Sequence, residues 1–452
     1  MIGEAKAKGF LKKALAISKA EQTEIILMCE DSYLTRFANS YIHQNVAEKN
    51  GYILVRAILG KKIGCASTNR LDEEAIKQTV KRATEIAHIQ KENKDFKSLP
   101  APTKPAKKLE LFVEETARFS PKARAGMAQI VINQAEKNKV KAFGAISNGT
   151  AEVAIANSLG TMEYSVATDA FINIVIMSET GSGYAQAGSR DIKDIKIKKV
   201  AETAVEKAVR SQNPTEITPG EYTVILEEMA VAELLGFLGY LGFSALAVQE
   251  GRSFMIGKFG QKIMDEKITI VDDAYNTRSF SFPFDFEGVP KQRITLMENG
   301  IARNVVYDSM TADKEGKKST GHALAAPLSY PLPLNIMMRG GNSTIEEMIA
   351  NTEKGIYVTR FHYCNVIDPM QVTVTGMTRD GTFLIENGKI SRPLKNLRFT
   401  ESILSAFNQV SAISQKTTLV TEGNFYGGRF ATGVVVPAMK IEKFNFSGVT
   451  EF

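Results

Sequence analysis

Four histidines, His43, His88, His322 and His362, are the whole imidazole complement of this 452-residue chain, and no two are spaced as successive ligands on one helix. A hydrolytic zinc site needs imidazoles or carboxylates converging on one metal with a coordination position left open. In sequence it usually shows as paired histidines flanking a glutamate. That pair is absent, and so are a Gly-x-Ser-x-Gly nucleophile elbow and Walker-type or Gly-x-Gly-x-x-Gly phosphate loops. The densest cluster that could carry chemistry is Arg360-Phe361-His362-Tyr363-Cys364-Asn365, followed by Asp368. If the stretch is extended, alternation puts His362, Cys364 and Asp368 on one strand face, a candidate metal or nucleophile constellation. A half-buried strand with a hydrogen-bonded histidine and a small core cysteine accounts for the same residues. His322, in Ser319-Thr320-Gly321-His322, could contact a ligand or cap backbone groups. Arg360 and Arg379 could clamp a peptide carboxylate through bidentate hydrogen bonds, or serve in ion pairs.

The elements that must position these groups read as α+β. Phe10, Leu11, Leu15 and Ile17 form the apolar stripe of a first helix. Strands are expected at residues 23–29, 41–46 and 52–59, the last two joined by a hairpin turn at Asn50-Gly51. A second helix, capped by Asn69 or Asp72, buries Leu71, Ile76, Val80, Ala83 and Ala87. Pro100, Pro102 and Pro105 then interrupt the pattern. The same order recurs: a helix over 121–138, a strand over 140–146, a turn at Asn148-Gly149, alternating strands, and a helix over 192–211. This suggests a duplicated unit. The expected domains are 1–98, a Pro-rich linker 99–112, a central domain 113–213 and a β-rich domain 220–452. The last holds an almost wholly apolar helix at 229–243, which must be buried. It also has Glu-Asn-Gly turns at 298–300 and 386–388, and a short helix at 344–352 with Ser343 as cap and Glu346 in the box position. The fold class expected is therefore N-terminal duplicated helix, antiparallel sheet, helix units followed by a mainly antiparallel β domain with a buried helix.

Composition excludes little beyond extended disorder. Hydrophobic residues at 44% and charged residues at 23% are ordinary for a globular chain. The net charge of +6 comes from 56 basic and 50 acidic residues that are interleaved, and the basic run 193–199 carries isoleucines at helical spacing. A solvated helix face is therefore expected there and no nucleic-acid partner. Cys29, Cys65 and Cys364 lack paired spacing, which indicates neither a disulfide framework nor a zinc knuckle. No signal-peptide region is apparent and no apolar run approaches the ~18 residues of a membrane span, so a cytoplasmic protein is expected.

Two long stretches go beyond pattern. Gly340-Gly341-Asn342-Ser343-Thr344-Ile345-Glu346-Glu347-Met348-Ile349, with residues 353–358, resembles the corresponding segment of the TldD/PmbA family. Thr375-Gly376-Met377-Thr378-Arg379-Asp380-Gly381-Thr382, running on to Ile390, does the same. Phe284-Asp285-Phe286-Glu287-Gly288-Val289 and Lys318-Ser319-Thr320-Gly321-His322-Ala323 are similar to further family landmarks. The resemblance implies a zinc peptidase system. In its TldD-type subunit, two histidines of a His-Glu-x-x-x-His helix and a cysteine near the C-terminus hold the metal. A TldE/PmbA-type subunit lacks the histidines and pairs with it around a peptide-processing chamber, and the family also carries the label of DNA gyrase modulator. Set on this sequence, the zinc helix falls on Ala232-Glu233-Leu234-Leu235-Gly236-Phe237 and the cysteine near Gly423, so all three ligands are replaced and no zinc cofactor is expected. Glu233, without metal-bound water to deprotonate, loses its implied role as general base. The expectation is a metal-free TldE/PmbA-like subunit, not catalytic alone, that handles peptides with a TldD-type zinc peptidase partner or as a homodimer. The alternatives are a divergent peptidase with replacement ligands around His362, Cys364 and Asp368, or a gyrase-type regulatory binding protein.

Overall fold

The computed structural model describes residues 1–327, 330–422 and 428–450. Its N-terminal half is one antiparallel sheet built from two similar stretches. The first runs α1 (Glu4–Ile17), β1 (Gln22–Ala38), β2 (Tyr41–Leu59), β3 (Lys62–Thr68), α2 (Glu73–Ile89). After the one-turn helix α3 (Glu114–Ala117), the second runs α4 (Pro121–Lys137), β4 (Lys141–Asn157), β5 (Met162–Met177), β6 (Ser182–Ser189) and α5 (Ile197–Arg210). The strand order β3-β2-β1-β4-β5-β6 places β1 beside β4, so the two meanders meet as one six-stranded sheet. Local chemistry starts the helices where expected: Asp72 caps α2 through the Ala75 N–H, and Ser120 caps α4 with Pro121 in its first turn. At residues 192–211 a 3-10 turn at Ile192–Asp194 precedes α5 instead of one continuous helix.

Two expected turns are strand interior. Asn50-Gly51 lies within β2, with Gly51 opposite Cys29, and Asn148-Gly149 lies within β4. The glycines there answer close approach: a Cβ on Gly149 would sit 2.1 Å from the Asp31 carbonyl oxygen, and one on Gly51 3.1 Å from Leu71. The chain actually reverses between β1 and β2 at Asn39 and Ser40, both with positive φ as a two-residue hairpin turn requires.

The C-terminal half begins with β7 (Gly220–Leu226), α6 (Glu228–Gly242) and α7 (Ala245–Gln249). Short strands β8 (Ile270–Asp272), β9 (Ile294–Glu298), β10 (Ile301–Ala302) and β11 (Ile336–Met338) follow, with α8 (Ser309–Lys314) among them. Then come α9 (Ile345–Ala350), β12 (Lys354–Asp368), β13 (Thr373–Glu386), β14 (Lys389–Pro393), β15 (Leu397–Ser402), α10 (Ile403–Asn408), β16 (Val410–Glu422) and β17 (Thr432–Val449). Both Glu-Asn-Gly turns form as expected, with Asn299, Gly300, Asn387 and Gly388 all at positive φ. Helix α9 is capped one residue later than expected, by Thr344 with Glu347 completing the box, because it is their backbone and side-chain bonds that close reciprocally.

Strands β7, β12, β13, β15 and β17 close into a ring, since β17 pairs with both β15 and β7. Its core includes Phe361, Phe399, Phe444 and Phe446, whose rings stand at centroid distances of 4.5–5.7 Å. Helix α6 lies against β12 and β17 and contributes Val231, Leu234, Leu235, Leu238 and Leu241 to the same core. Contrary to the expectation from its composition, α6 is not buried all round: Gly236 is exposed, as is Tyr240 at 61%.

Candidate functional site

The open face of α6 is set by helical spacing. Met229, Glu233, Gly236, Phe237 and Tyr240 recur at intervals of three and four, so they line one side while the intervening leucines face the core. With Ala232 they wall a cavity of about 450 Å³, closed opposite by Tyr184 and Gln186 of β6, Arg360 and Phe361 of β12, and Val434 of β17. The glycines of α6 divide accordingly. A Cβ on Gly239 would meet Ile336 at 2.4 Å and one on Gly242 would meet Phe254 at 1.9 Å, whereas Gly236 faces open space.

Glu233 points across this wall to Cys364, whose thiol hydrogen-bonds to it. Burial first, and then the Glu233 charge and that bond, push the thiol far above its ordinary range. Cys364 is therefore a protonated donor, not a thiolate. Ala232 and Phe237 have no lone pair to offer a metal. Among the described residues no group of three or more His, Cys, Asp and Glu side chains comes together to hold one. The described residues of this wall do not fit a zinc ion. Gly423, near which the resemblance sets the third ligand, lies outside the described residues.

The candidate constellation of His362, Cys364 and Asp368 does not assemble. His362 pairs with Met377 and Asn365 with Thr375, so two residues of β12 oppose Gly376 alone, and Tyr363 takes a positive φ of 55°. This bulge breaks the alternation. His362 turns to a second cleft with Tyr363 and Met377, while Cys364 packs into the ring core near Gly376 and Phe399. Asp368 ends the strand by accepting the N–H groups of Met370 and Gln371.

The second cleft, of about 710 Å³, lies between the turn joining β5 to β6 and the strands β12 and β13. Arg379 stands exposed at its rim and Asp380 is buried in its wall. Asp380 and Gly381, at φ 57° and 125°, make the backbone turn that points the two side chains apart. A Cβ on Gly381 would come within 2.6 Å of the Thr359 hydroxyl, so only glycine fits. Asp380 accepts from Arg360 Nε at 2.7 Å and from the Ser182 hydroxyl at 2.6 Å, and the Arg360 guanidinium lies 4.4 Å over the Tyr184 ring. Arg360 is thus committed to an internal ion pair and is no free carboxylate clamp; Arg379 makes no ion pair among the described residues. Burial and then the charges of Arg379 and Arg360 hold His362 below the usual imidazole range, which favours a neutral ring at pH 7.

His322 belongs to neither cavity. Its ring is fully buried between Thr320 Oγ1 at 2.9 Å and Asp272 Oδ1 at 3.0 Å, and Asp272 also accepts the Asn335 N–H at 2.7 Å. Burial would raise the Asp272 carboxyl, but His322, Lys291 and that N–H outweigh it and hold it low. These bonds make His322 a fixed part of the loop scaffold. The four sequence candidates thus separate: Arg360 under α6, His362 and Arg379 in the second cleft, His322 in the interior. Sequence reasoning missed the partners, Asp380 for Arg360 and Glu233 for Cys364. Opposite charge offered a hint for the first pair, and no local signal marked the second.

Comparison with known proteins places this geometry. Models of the PmbA/TldA metallopeptidase domain 1, central domain and C-terminal domain match residues 30–87, 98–212 and 219–448. The metalloprotease TldD homologue of Buchnera aphidicola is 25% identical over 440 residues, covering 91% of this chain and 89% of that protein. Metalloprotease PmbA of Escherichia coli O157:H7 is 25% identical over 397 residues, covering 84% and 82%. The crystal structure of TldE from Thermococcus kodakarensis shares the fold with a TM-score of 0.87 at 21% identity, covering 98% of this chain and 99% of that one. A protein from Thermotoga maritima described as a modulator of a DNA gyrase gives 0.85 at 19% identity, covering 97% and 99%. Fold and matched domains define an α+β protein of the metallopeptidase type. The chain belongs to the PmbA/TldD metallopeptidase family.

Proposed function

We propose that this chain is a metal-free, TldE/PmbA-like subunit of a peptide-processing metallopeptidase system. It supplies wall and binding surface, while a TldD-type zinc peptidase subunit supplies the chemistry. The observation that carries the reading is the face of α6: it lines a cavity, yet Ala232 and Phe237 offer no ligand atom there and Glu233 is engaged by the Cys364 thiol. A general base must be free to take a proton from a bound water, and a carboxylate already accepting a thiol hydrogen is poorly placed for that. The separation of His362 from Cys364 speaks against replacement ligands on β12.

The test is co-expression with a TldD-type chain carrying an intact His-Glu-x-x-x-His helix, followed by metal analysis and peptidase assays on each chain and on the mixture. The expected result is a stable complex whose zinc and activity belong to the partner. Stoichiometric zinc, or peptide cleavage, in this chain alone would overturn the proposal. A homodimer that neither binds the partner nor alters its activity would also count against it.

A further inference from the structure

The cleft holding His362 and Arg379 is distinct from the cavity under α6, and its charges can be sorted. Asp380 is neutralised by Arg360 and also accepts the Ser182 hydroxyl, and Lys395 pairs with Glu216 at 2.8 Å. Arg379 is the lining cation that has no carboxylate partner among the described residues. Thr382, in the same wall, is 2% exposed, and its buried hydroxyl makes no hydrogen bond among the described residues. A buried hydroxyl without a partner is a standing cost, and because its oxygen is closed off from the cleft, an entering acceptor relieves that cost only by displacing a neighbouring wall side chain. At about 710 Å³ the cleft falls in the roughly 300–1,000 Å³ range of small-ligand sites. Met177, Met377 and Leu394 add apolar wall beside these polar groups.

We propose that this cleft binds the free C-terminal carboxylate of a short peptide, with Arg379 as the charged anchor and the Thr382 hydroxyl and His362 as neutral hydrogen-bonding groups. A guanidinium matches a carboxylate in two parallel hydrogen bonds, and a neutral imidazole can donate one without adding charge. Glu179, exposed and lining the same cleft, repels a multiply charged anion more than a singly charged one, so a single carboxylate is preferred over phosphate. The choice of a peptide rests on the peptide-handling reading above; the carboxylate chemistry does not.

Calorimetric titration of the full chain with tri-alanine, with tri-alanine amide and with inorganic phosphate tests the site. Tri-alanine should bind saturably, and amidation or Arg379→Gln should weaken it by about ten-fold or more, the scale of one lost charged contact. Thr382→Val, which removes the hydroxyl at constant shape, should weaken binding while the circular dichroism spectrum is unchanged. Equal binding of acid and amide, preference for phosphate, or unaltered affinity in Arg379→Gln would each overturn the assignment. Cleavage of amidated peptides by the mixture with a TldD-type chain, without acid-over-amide preference here, would remove this site and leave the subunit reading standing. Carboxylate binding that depends on Arg379, without any complex formed, would do the reverse.

Discussion

Among single residues, Cys364 and Glu233 show how a neighbour changes the meaning of a side chain. A cysteine close to an arginine and a histidine in sequence suggests a reactive thiol, yet its hydrogen goes to a carboxylate in a largely buried setting. Thiol reactivity follows the thiolate fraction, about ten-fold for each pKa unit. Peptide-resolved mass spectrometry after Ellman labelling at pH 8 should find Cys364 nearly unlabelled. Glu233→Gln should speed that labelling about ten-fold or more, because the negative charge that disfavours the thiolate is gone. Rapid labelling of Cys364 in the unaltered protein would contradict the assigned pairing. His322 gives a second residue-level expectation. His322→Ala removes one partner of the buried Asp272 carboxylate, which keeps Lys291 and the Asn335 N–H, and losing a hydrogen bond to a buried charge costs about 1.5–3 kcal/mol, to be read from urea unfolding. A loss under about 1 kcal/mol, the size of an ordinary hydrogen bond, would mean that the ring is not holding the loops together.

Among the elements, α6 is a helix of two faces that composition alone does not separate. Gly239 and Gly242 bring Ile336 and Phe254 against its backbone, while Gly236 faces the cavity and packs against nothing. Gly236→Ala should therefore stabilise the protein by about 0.5–1 kcal/mol, the helix-propensity difference alone. Gly242→Ala should destabilise it by about 1–3 kcal/mol or more, since a Cβ must displace the Phe254 ring. Thermal unfolding of the two variants checks both signs, and equal effects would deny the division of faces. What was legible here follows the same line. The α2 cap, the start of α4 and both Glu-Asn-Gly turns could be read because their signals are local: a side chain bonding the next backbone groups, proline opening a helix, or glycine taking positive φ. Asn50-Gly51 and Asn148-Gly149 misled because the same residues also serve close approach between strands, and local sequence does not distinguish the two uses.

Across the molecule as a unit, the two halves meet over a buried charged junction. Arg56 of β2 donates to Glu24 of β1 at 2.8 Å and to Glu287 of the C-terminal half at 3.3 Å, with Asp308, Asp285 and Cys65 nearby. Two carboxylates share one guanidinium, so the fully ionised junction carries excess negative charge. Burial pushes Glu24 up to about 7, Glu287 adding to it against the pull of Arg56, and burial with Glu287 pushes Asp308 up to about 6. A carboxyl raised on folding contributes stability that is fully present below its unfolded value. That stability is lost as pH rises through the folded one. Stability should therefore fall between about pH 5 and pH 8, by about 3 kcal/mol for Glu24, since each ten-fold gain in proton affinity on folding is worth roughly 1.4 kcal/mol. Glu24→Gln, neutral at every pH, should flatten the profile in urea unfolding; a profile as steep as before would remove Glu24 from the effect.

The α+β class, most helices and their starts, and the family could all be read along the chain, because caps, periodic apolar stripes and contiguous motifs are properties of neighbouring residues. That Ala232 and Phe237, where the resemblance sets the zinc helix, carry no ligand atom was visible in the same way, since a missing ligand atom needs no coordinates to notice. What the remaining polar groups do was settled only by folding. Whether His362 and Cys364 share a face depended on a bulge set by cross-strand register. Whether Arg360 or Arg379 is available depended on Asp380 turning inward at a backbone conformation held by Gly381. Partner choice among charged side chains is a matter of distance and burial in three dimensions, and residues far apart along the chain carry no mark of it in their neighbours.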